Sequence, residues 1–337
     1  MGSKGQGNTG QGEGWGEYLG WRTGSAAVVS STLPYDSNWP NHPAPVAGGV
    51  PFRPPQQPFH HCSHLPIVQL GEQQLVWVKH LQSGSFGEVH ELRGSTDDIR
   101  YAWKRVDMAG ARNLLRQRAS TLEPDNEIHI LGQLAHPNII KLLRSCVSNL
   151  GLSLIFEMCT EDLLHRLQRD GPMGRVTGRA YMVELLGALE YLQRHRIAHR
   201  DVKLENLLVV ASPLMPDVLK LCDFGLARKC SRLVGCATFI GSADYMAPEV
   251  RPCAEGRTYG FACDIWSCGV VAYALLTAES PYADDADTWA RSHGSLMPDA
   301  RVVEGDDPTP DSFIRSCMVV APHRRKPPRA LADMLWQ

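Results

Sequence analysis

His199-Arg200-Asp201-Val202-Lys203-Leu204-Glu205-Asn206 sets an acid, an ammonium and an amide at fixed offsets on one short stretch. Asp223-Phe224-Gly225 adds a second carboxylate 17 residues after Asn206. Such a set suits phosphoryl transfer from a nucleotide. One carboxylate takes the acceptor's proton, an amide oxygen and the other carboxylate hold Mg²⁺, and a cation neutralises the moving phosphoryl group. A lone aspartate is more often a turn former or a cap, so the reading depends on further parts standing in register.

Those parts lie upstream. Ser83-Gly84-Ser85-Phe86-Gly87-Glu88-Val89 places two glycines at a predicted hairpin, where backbone without side chains can approach phosphates. Lys104, with Ala102 two residues before it, follows Gly87 by 17 residues on a predicted strand. Glu127-Ile128-His129-Ile130-Leu131 carries apolar residues at helical spacing behind a carboxylate, and Glu123 offers a second carboxylate just upstream; which of the two serves as partner to Lys104, Glu127 first and Glu123 as the fallback, is what the resemblance named next implies. Pro124 puts Glu127 close to the helix start.

In this order the parts resemble the eukaryotic protein kinase superfamily, and lysine two residues after Asp201 is similar to its serine/threonine members. Within it, Val202-Lys203-Leu204-Glu205-Asn206 with Gly241-Ser242 looks most like the calcium/calmodulin-dependent and related branch. The resemblance implies an α+β bilobal kinase fold, with a small β-rich N-lobe carrying one key helix and a larger α-helical C-lobe. It implies ATP and Mg²⁺ as cofactors. Asp201 is then the base or orienting group, Lys203 neutralises the γ-phosphate, and Asn206 and Asp223 are the metal ligands. Lys104 contacts the α- and β-phosphates and pairs with Glu127.

For the nucleotide, the resemblance implies a loop running through Leu81, Gln82, Ser83, Gly84, Ser85, Phe86, Gly87, Glu88 and Val89, with Val89 and Ala102 beside the base and Leu208 beneath it. Gln82 stands where the family has its first glycine, so a stiffer loop and weaker nucleotide affinity are expected. Backbone groups of Glu157 and Cys159 would hydrogen-bond adenine, behind a bulky Phe156. Asp162 would meet the ribose or a basic substrate side chain, or else serve as a helix N-terminal carboxylate.

The segment Thr238-Phe239-Ile240-Gly241-Ser242-Ala243-Asp244-Tyr245-Met246-Ala247-Pro248-Glu249 is similar to the end of an activation segment. Ser242 is expected against Asp201 and Lys203. Thr238 aligns with the usual activating phosphosite, with Arg200 and either Arg228 or Lys229 able to clamp its phosphate. That implies an upstream activating kinase. Glu249 is expected to pair with Arg325, and Asp264 to hydrogen-bond the loop before Asp201. The resemblance implies protein substrates with Ser or Thr acceptors, and Glu205 and Asp162 suggest basic residues upstream of the acceptor. No basic amphipathic segment follows Arg325, so calcium control is not expected.

Working outward, periodicity predicts strands at 75–78, 101–106 and 152–156, a hairpin at 84–87, and helices over 127–134 and 181–192. Pro213 and Pro216 mark a surface turn in a stretch about four residues longer than the family spacing between Asn206 and Asp223. Residues 75–337 read as the catalytic domain, with lobes at about 75–158 and 159–337. Residues 1–70 are Gly- and Pro-rich and read as a disordered tail. Trp15, Tyr18, Trp21 and Trp39 are unusual there, and His60-His61-Cys62-Ser63-His64 lacks a second cluster at zinc-site spacing.

A net charge of −2 over 337 residues offers no footprint for nucleic acid. No apolar run is long enough to span a membrane. Ten scattered cysteines without an export signal read as reduced thiols in a cytoplasmic or nuclear protein. Cys222, beside Asp223, reads as a small buried hydrophobe first and an alkylation target second. The rival reading is a non-catalytic scaffold of the same fold, supported only by Gln82.

Overall fold

The computed structural model describes residues 68–84, 87–108, 110–112, 125–148, 151–212, 214–230, 236, 241–250, 259–281 and 309–336. Six strands come first: β1 (Val68–Leu70), β2 (Gln73–Gly84), β3 (Gly87–Gly94), β4 (Arg100–Val106), β5 (Leu142–Ser148) and β6 (Gly151–Glu157). They form one antiparallel sheet in the order β1-β2-β3-β4-β6-β5. The sheet begins at Val68, ahead of the boundary at 70–75 expected from composition. Three residues pairing with Leu75, Gln74 and Gln73 are enough to recruit it.

Alternation along β4 explains the sheet's two faces. Tyr101 and Trp103 join Leu75, Leu92 and Ile155 in a small outer cluster. Ala102 and Lys104 turn the other way, toward the main core and the cleft. Gly84 pairs with Gly87 at the tip of the β2–β3 hairpin. At Gly87 a Cβ would fall 1.8 Å from the Arg105 carbonyl oxygen, so glycine is what lets β4 run this close. The tip residues Ser85 and Phe86 lie outside the described residues.

Between β4 and β5 stands α1 (Asn126–Leu131). It is shorter than the expected 127–134, because Gly132 ends it and Gln133 and Leu134 switch to tighter bonds with Ile130 and Leu131. Glu127 sits in its first turn; Glu123 and Pro124 lie outside the described residues. After β7 (Glu161–Asp162) the chain becomes helical, with α2 (Leu163–Asp170) and α3 (Arg175–Arg194). Tyr181, Met182, Leu185, Leu186, Leu189 and Leu192 bury one stripe of α3, as an amphipathic helix requires. Two short ladders follow: β8 (Ile197–Ala198) with β11 (Arg228–Lys229), and β9 (Leu207–Val210) between β7 and β10 (Val218–Leu221). The β9–β10 connection exposes Leu214 and Met215, as a surface turn does; Pro213 is outside the described residues.

The large lobe closes on α4 (Ala262–Thr277), which is buried nearly all round, with α5 (Thr309–Cys317) against it and α6 (Pro328–Ala332) packed on α3. At Gly269 an added Cβ would come within 2.7 Å of Cys317, so this glycine sets how near α4 and α5 approach. Trp336, fully buried, donates from Nε1 to the Arg175 carbonyl at 2.9 Å and meets Phe313 edge-on. No described helix is long and apolar enough to cross a membrane. The aromatic residues and the His/Cys cluster of the first 67 positions are outside the described residues.

Arg325 locks this lobe. Its side chain is 1% exposed and grips Glu249 through two bonds, 2.6 and 2.8 Å. It also donates to the Val319 and Ala262 carbonyls and lies 5.0 Å over the Trp266 ring. Truncating one partner strands the other's buried charge. Arg325→Ala is therefore expected to lose about 3–5 kcal/mol in denaturant unfolding. Arg325→Lys, which keeps charge but not the fork, is expected to recover under half of that; full recovery would mean that the bidentate geometry is irrelevant.

Candidate active site

Two buried clusters meet where the sheet faces the helical lobe. In the first, Lys104 Nζ lies 2.7 Å from Glu127 Oε2 and 2.8 Å from Asp223 Oδ1, so one ammonium joins β4, α1 and the Asp223 turn. Burial opposes the Lys104 charge, but the flanking Asp223 and Glu127 carboxylates outweigh it and hold its pKa above the ordinary lysine value. Burial raises Glu127, against the pull of Lys104. Asp223 also resists burial, yet Lys104 keeps it below the usual carboxylate range.

Asp223 adopts φ 61°, a left-handed conformation that costs about 1–3 kcal/mol outside glycine. The surroundings hold it there. Phe224 is fully buried, its N–H donates to Glu127 Oε1 at 3.3 Å, and its ring meets His199 edge-on at 4.7 Å. Asn126 Nδ2 reaches the carbonyls of Phe224, Gly225 and Ala227 at 3.3, 3.2 and 2.8 Å. The sequence reading missed this clamp, because a lone asparagine at a helix start ordinarily reads as a local cap.

In the second cluster every oxygen of the Asp201 carboxylate is directed. Ser242 donates from both N and Oγ to Oδ1 at 3.0 Å each. Lys203 Nζ lies 3.0 Å from Oδ2 and 2.9 Å from Ser242 Oγ. Asn206 Nδ2 donates to Oδ2 at 3.0 Å and to the Asp201 carbonyl at 2.8 Å. Burial opposes the Lys203 charge, but Asp201 and Glu205 hold its pKa raised. Ser242 reaches this position because Gly241 at φ 119° passes so close to Arg200 that a Cβ would sit 2.6 Å from its carbonyl oxygen.

Asp264 fixes the loop from behind. Its two oxygens accept the N–H groups of His199 and Arg200 at 2.8 Å each, and Arg200 is thereby held at φ 70°. His199 Nε2 faces the Cys222 carbonyl at 3.0 Å, which makes it the donor and leaves Nδ1 to accept the Asp201 N–H at 3.3 Å. The loop with Asp201 is thus tied to the strand end that carries Asp223.

The donor set suits a hard cation. Asn206 spends its N–H groups on Asp201, which leaves its amide oxygen as the free end of that side chain. The Asp223 carboxylate is one-third exposed. Two protein oxygens form a partial shell of the kind magnesium completes with phosphates and water. No group of three His, Cys, Asp or Glu side chains able to hold a metal alone is present among the described residues.

Other expected residues are distributed as follows. Leu81, Gln82, Ser83 and Glu88 are exposed on the hairpin, Val89, Ala102 and Leu208 are half-buried, and Phe156 is buried. Glu157 and Asp162 carry further contacts. Glu157 donates its N–H to the Lys141 carbonyl at 3.2 Å, so that donor is turned from the cleft. Its side chain points inward to Lys220 at 3.0 Å, an ion pair that strand periodicity does not reveal. Asp162 caps α2: Oδ1 accepts the His165 N–H at 2.8 Å and Oδ2 faces His165 Nδ1 at 2.7 Å. The helix-capping alternative is the one these contacts show. Burial pushes the Cys159 thiol up to about 12 and raises Cys222 well above the ordinary thiol value, which suits packing and not alkylation. Thr238 lies outside the described residues.

Comparison with known proteins agrees with this geometry. Residues 76–336 match the family described as "Protein kinase domain". "Mitogen-activated protein kinase kinase kinase 1a" of Physcomitrium patens is 33% identical over 74% of this chain and 32% of its own length. "Meiosis-specific serine/threonine-protein kinase mek1" of Schizosaccharomyces pombe is 33% identical over 67% of this chain and 50% of its own. "Calcium/calmodulin-dependent protein kinase type IV" of Mus musculus is 36% identical over 60% and 43% respectively. The chain thus spans half or less of the length of these relatives, which come from several branches, the calcium/calmodulin-dependent one among them.

The raised Glu127 implies an acid-sensitive bridge. As pH falls, Glu127 protonates before a glutamate at the ordinary 4.5 would, and Lys104 loses a partner. Affinity for an ATP analogue, measured by calorimetry between about pH 5 and 8, is expected to fall more steeply on acidification in the wild type than in Glu127→Gln. Parallel slopes would show that the bridge does not govern binding.

Proposed function

This chain belongs to the protein kinase family, and on that premise we propose that it transfers the γ-phosphate of Mg·ATP to serine or threonine hydroxyls of protein substrates. The observation that carries the reading is the set of contacts on Asp201. Its carboxylate is aimed by Ser242, Lys203 and Asn206, while Lys104 joins Glu127 to Asp223 across the cleft.

Each residue then has a task. Asp201 accepts the hydroxyl proton of the acceptor as the oxygen attacks. Lys203, already charged, neutralises the γ-phosphoryl oxygens, and Lys104 orients the α- and β-phosphates. Asn206 and Asp223 would hold magnesium, which when bound offsets phosphate charge. Because Lys104, Glu127, Asp201 and Asp264 are already in place, little reorganisation is needed when the reacting groups arrive.

Serine/threonine preference is supported by Lys203 and Ser242, which close the space beside Asp201. Glu205 supports a basic residue upstream of the acceptor: its Oε2 is buried without a hydrogen-bond partner among the described residues, and burial raises its pKa. A substrate guanidinium or ammonium would satisfy that oxygen. Asp162, occupied by its cap, is the weaker candidate.

Control through Thr238 belongs to the same reading. A phosphate there carries a charge of about −2 and would order the segment ending in Gly241 and Ser242, on which the aim of Asp201 depends. Arg200 is not a freely swinging clamp, since its Nε donates to the Leu226 carbonyl at 2.7 Å and its guanidinium touches the Tyr259 hydroxyl. Its contribution would come through the field of a fixed cation.

Phosphate transfer from ATP to a peptide library is expected in the wild type, with Asp201→Asn slower by about 10²- to 10⁴-fold. Equal incorporation by both proteins would identify a scaffold instead. Phosphorylation at Thr238 is expected to raise turnover, and Thr238→Ala to match the unphosphorylated form. Indistinguishable rates for the phosphorylated wild type and Thr238→Ala would remove the switch.

A further inference from the structure

Between β11 and the Gly241-Ser242 turn lies a thiol pair for which the proposed phosphoryl transfer has no use. Cys230 and Cys236 place their Sγ atoms 2.8 Å apart, roughly 0.8 Å beyond a disulfide bond of about 2.05 Å. Both residues are buried, at 3% and 0% exposure. Each is anchored by backbone. Cys230 N–H donates to the Arg196 carbonyl at 2.7 Å, and Cys236 exchanges two 2.8 Å bonds with Tyr259. Tyr259 in turn accepts from Arg200, the residue before Asp201. Independent anchors on opposite sides thus press two sulfurs together next to the catalytic loop.

We propose that Cys230 and Cys236 are a peroxide-responsive pair, which closes to an intramolecular disulfide and staples the end of β11 to the bridge that Cys236 makes with Tyr259. Hydrogen peroxide is the oxidant class, being hardly larger than water and able to reach enclosed thiols through local opening. The Cys236 sulfur attacks one peroxide oxygen, the O–O bond breaks, and sulfenic acid and water form. The Cys230 sulfur then attacks the sulfenic sulfur, the S–OH bond breaks, and a second water leaves with the Cys230 proton. Two electrons pass from the sulfurs to one peroxide. A small dithiol returns two electrons and two protons and restores both thiols.

The order of attack follows from the surroundings. The sulfur–sulfur hydrogen bond lowers the Cys236 pKa, burial opposes this, and the Arg200 and Arg228 guanidiniums add to the lowering. The same bond raises Cys230, which suits it as the resolving thiol. Half-buried Cys159 and Cys222, by contrast, are both raised by burial. Closure asks for under an ångström of sulfur movement, so the contacts of Asp201, Lys203 and Ser242 are kept.

The test uses the full chain treated with hydrogen peroxide, unfolded with an alkylating agent present and digested with trypsin. Cleavage after Lys229 and Arg232 separates the two cysteines, so the bridge yields a linked pair of peptides that dithiothreitol splits. That pair is expected to dominate, with a rise in Tm of about 5 °C that the dithiol reverses. Cys230→Ser and Cys236→Ser should each show neither change. Finding both cysteines alkylated, sulfinic acid on either, or a bridge to a different cysteine would overturn the proposal. A linked pair with an unchanged Tm would overturn the staple. Wild type cycled with the dithiol decides the matter even if a serine variant fails to fold, and neither readout depends on phosphoryl transfer.

Discussion

A single buried ammonium, Lys104, holds the two lobes in register. It lies 15% exposed between Glu127 and Asp223, and withdrawal of either carboxylate would leave a desolvated charge without its partner. Because the three groups belong to β4, α1 and the Asp223 turn, their meeting sets the depth of the cleft. Phe224 and Asn126 extend the same junction, one by filling the space beneath α1 and the other by pinning three carbonyl groups of the turn. Cleft geometry and turn conformation are consequently one structural variable.

Both clusters rest on backbone strain. Arg200 and Asp223 both occupy left-handed conformations that side chains disfavour. Asp264 offsets the first by accepting two N–H groups, and the Lys104 bridge offsets the second. His199 links them, accepting from Asp201 and donating to the carbonyl of Cys222. Asp201 is held as rigidly as a loop residue can be, which is what proton transfer at a defined distance demands. Arg325 and Glu249 act further out, keeping α4 in place so that Asp264 stays aimed.

Where the residues repeat with a clear period or stand at fixed offsets, the sequence reading and the structure coincide: the strand around Lys104, the stripe along α3, and the pairs Lys104–Glu127, Glu249–Arg325 and Ser242–Asp201. Differences occur where a local feature competes with the pattern. Gly132 cut α1 short although apolar spacing continued to Leu134. At Asp162, where two readings stood open, the cap is present, since an aspartate before a helix satisfies the nearby N–H groups at little cost. Val68–Leu70 joined the sheet despite a low-complexity neighbourhood, because a strand edge needs only a few matched backbone groups.

Sequence by itself settled the chemical inventory: which acids, amides and ammonium groups the chain carries, and the order in which they recur. It did so because catalytic offsets along a short loop are local, and local spacing survives without knowledge of the fold. Tertiary structure alone decided which amide clamps the Asp223 turn, which way Glu157 faces, and that Cys230 and Cys236 touch. Those relations join backbone and side chains whose distance in space is set by anchors elsewhere: Arg196 for one sulfur, Tyr259 for the other, α1 for Asn126. No periodicity encodes such meetings, because each is the sum of several independent packing choices.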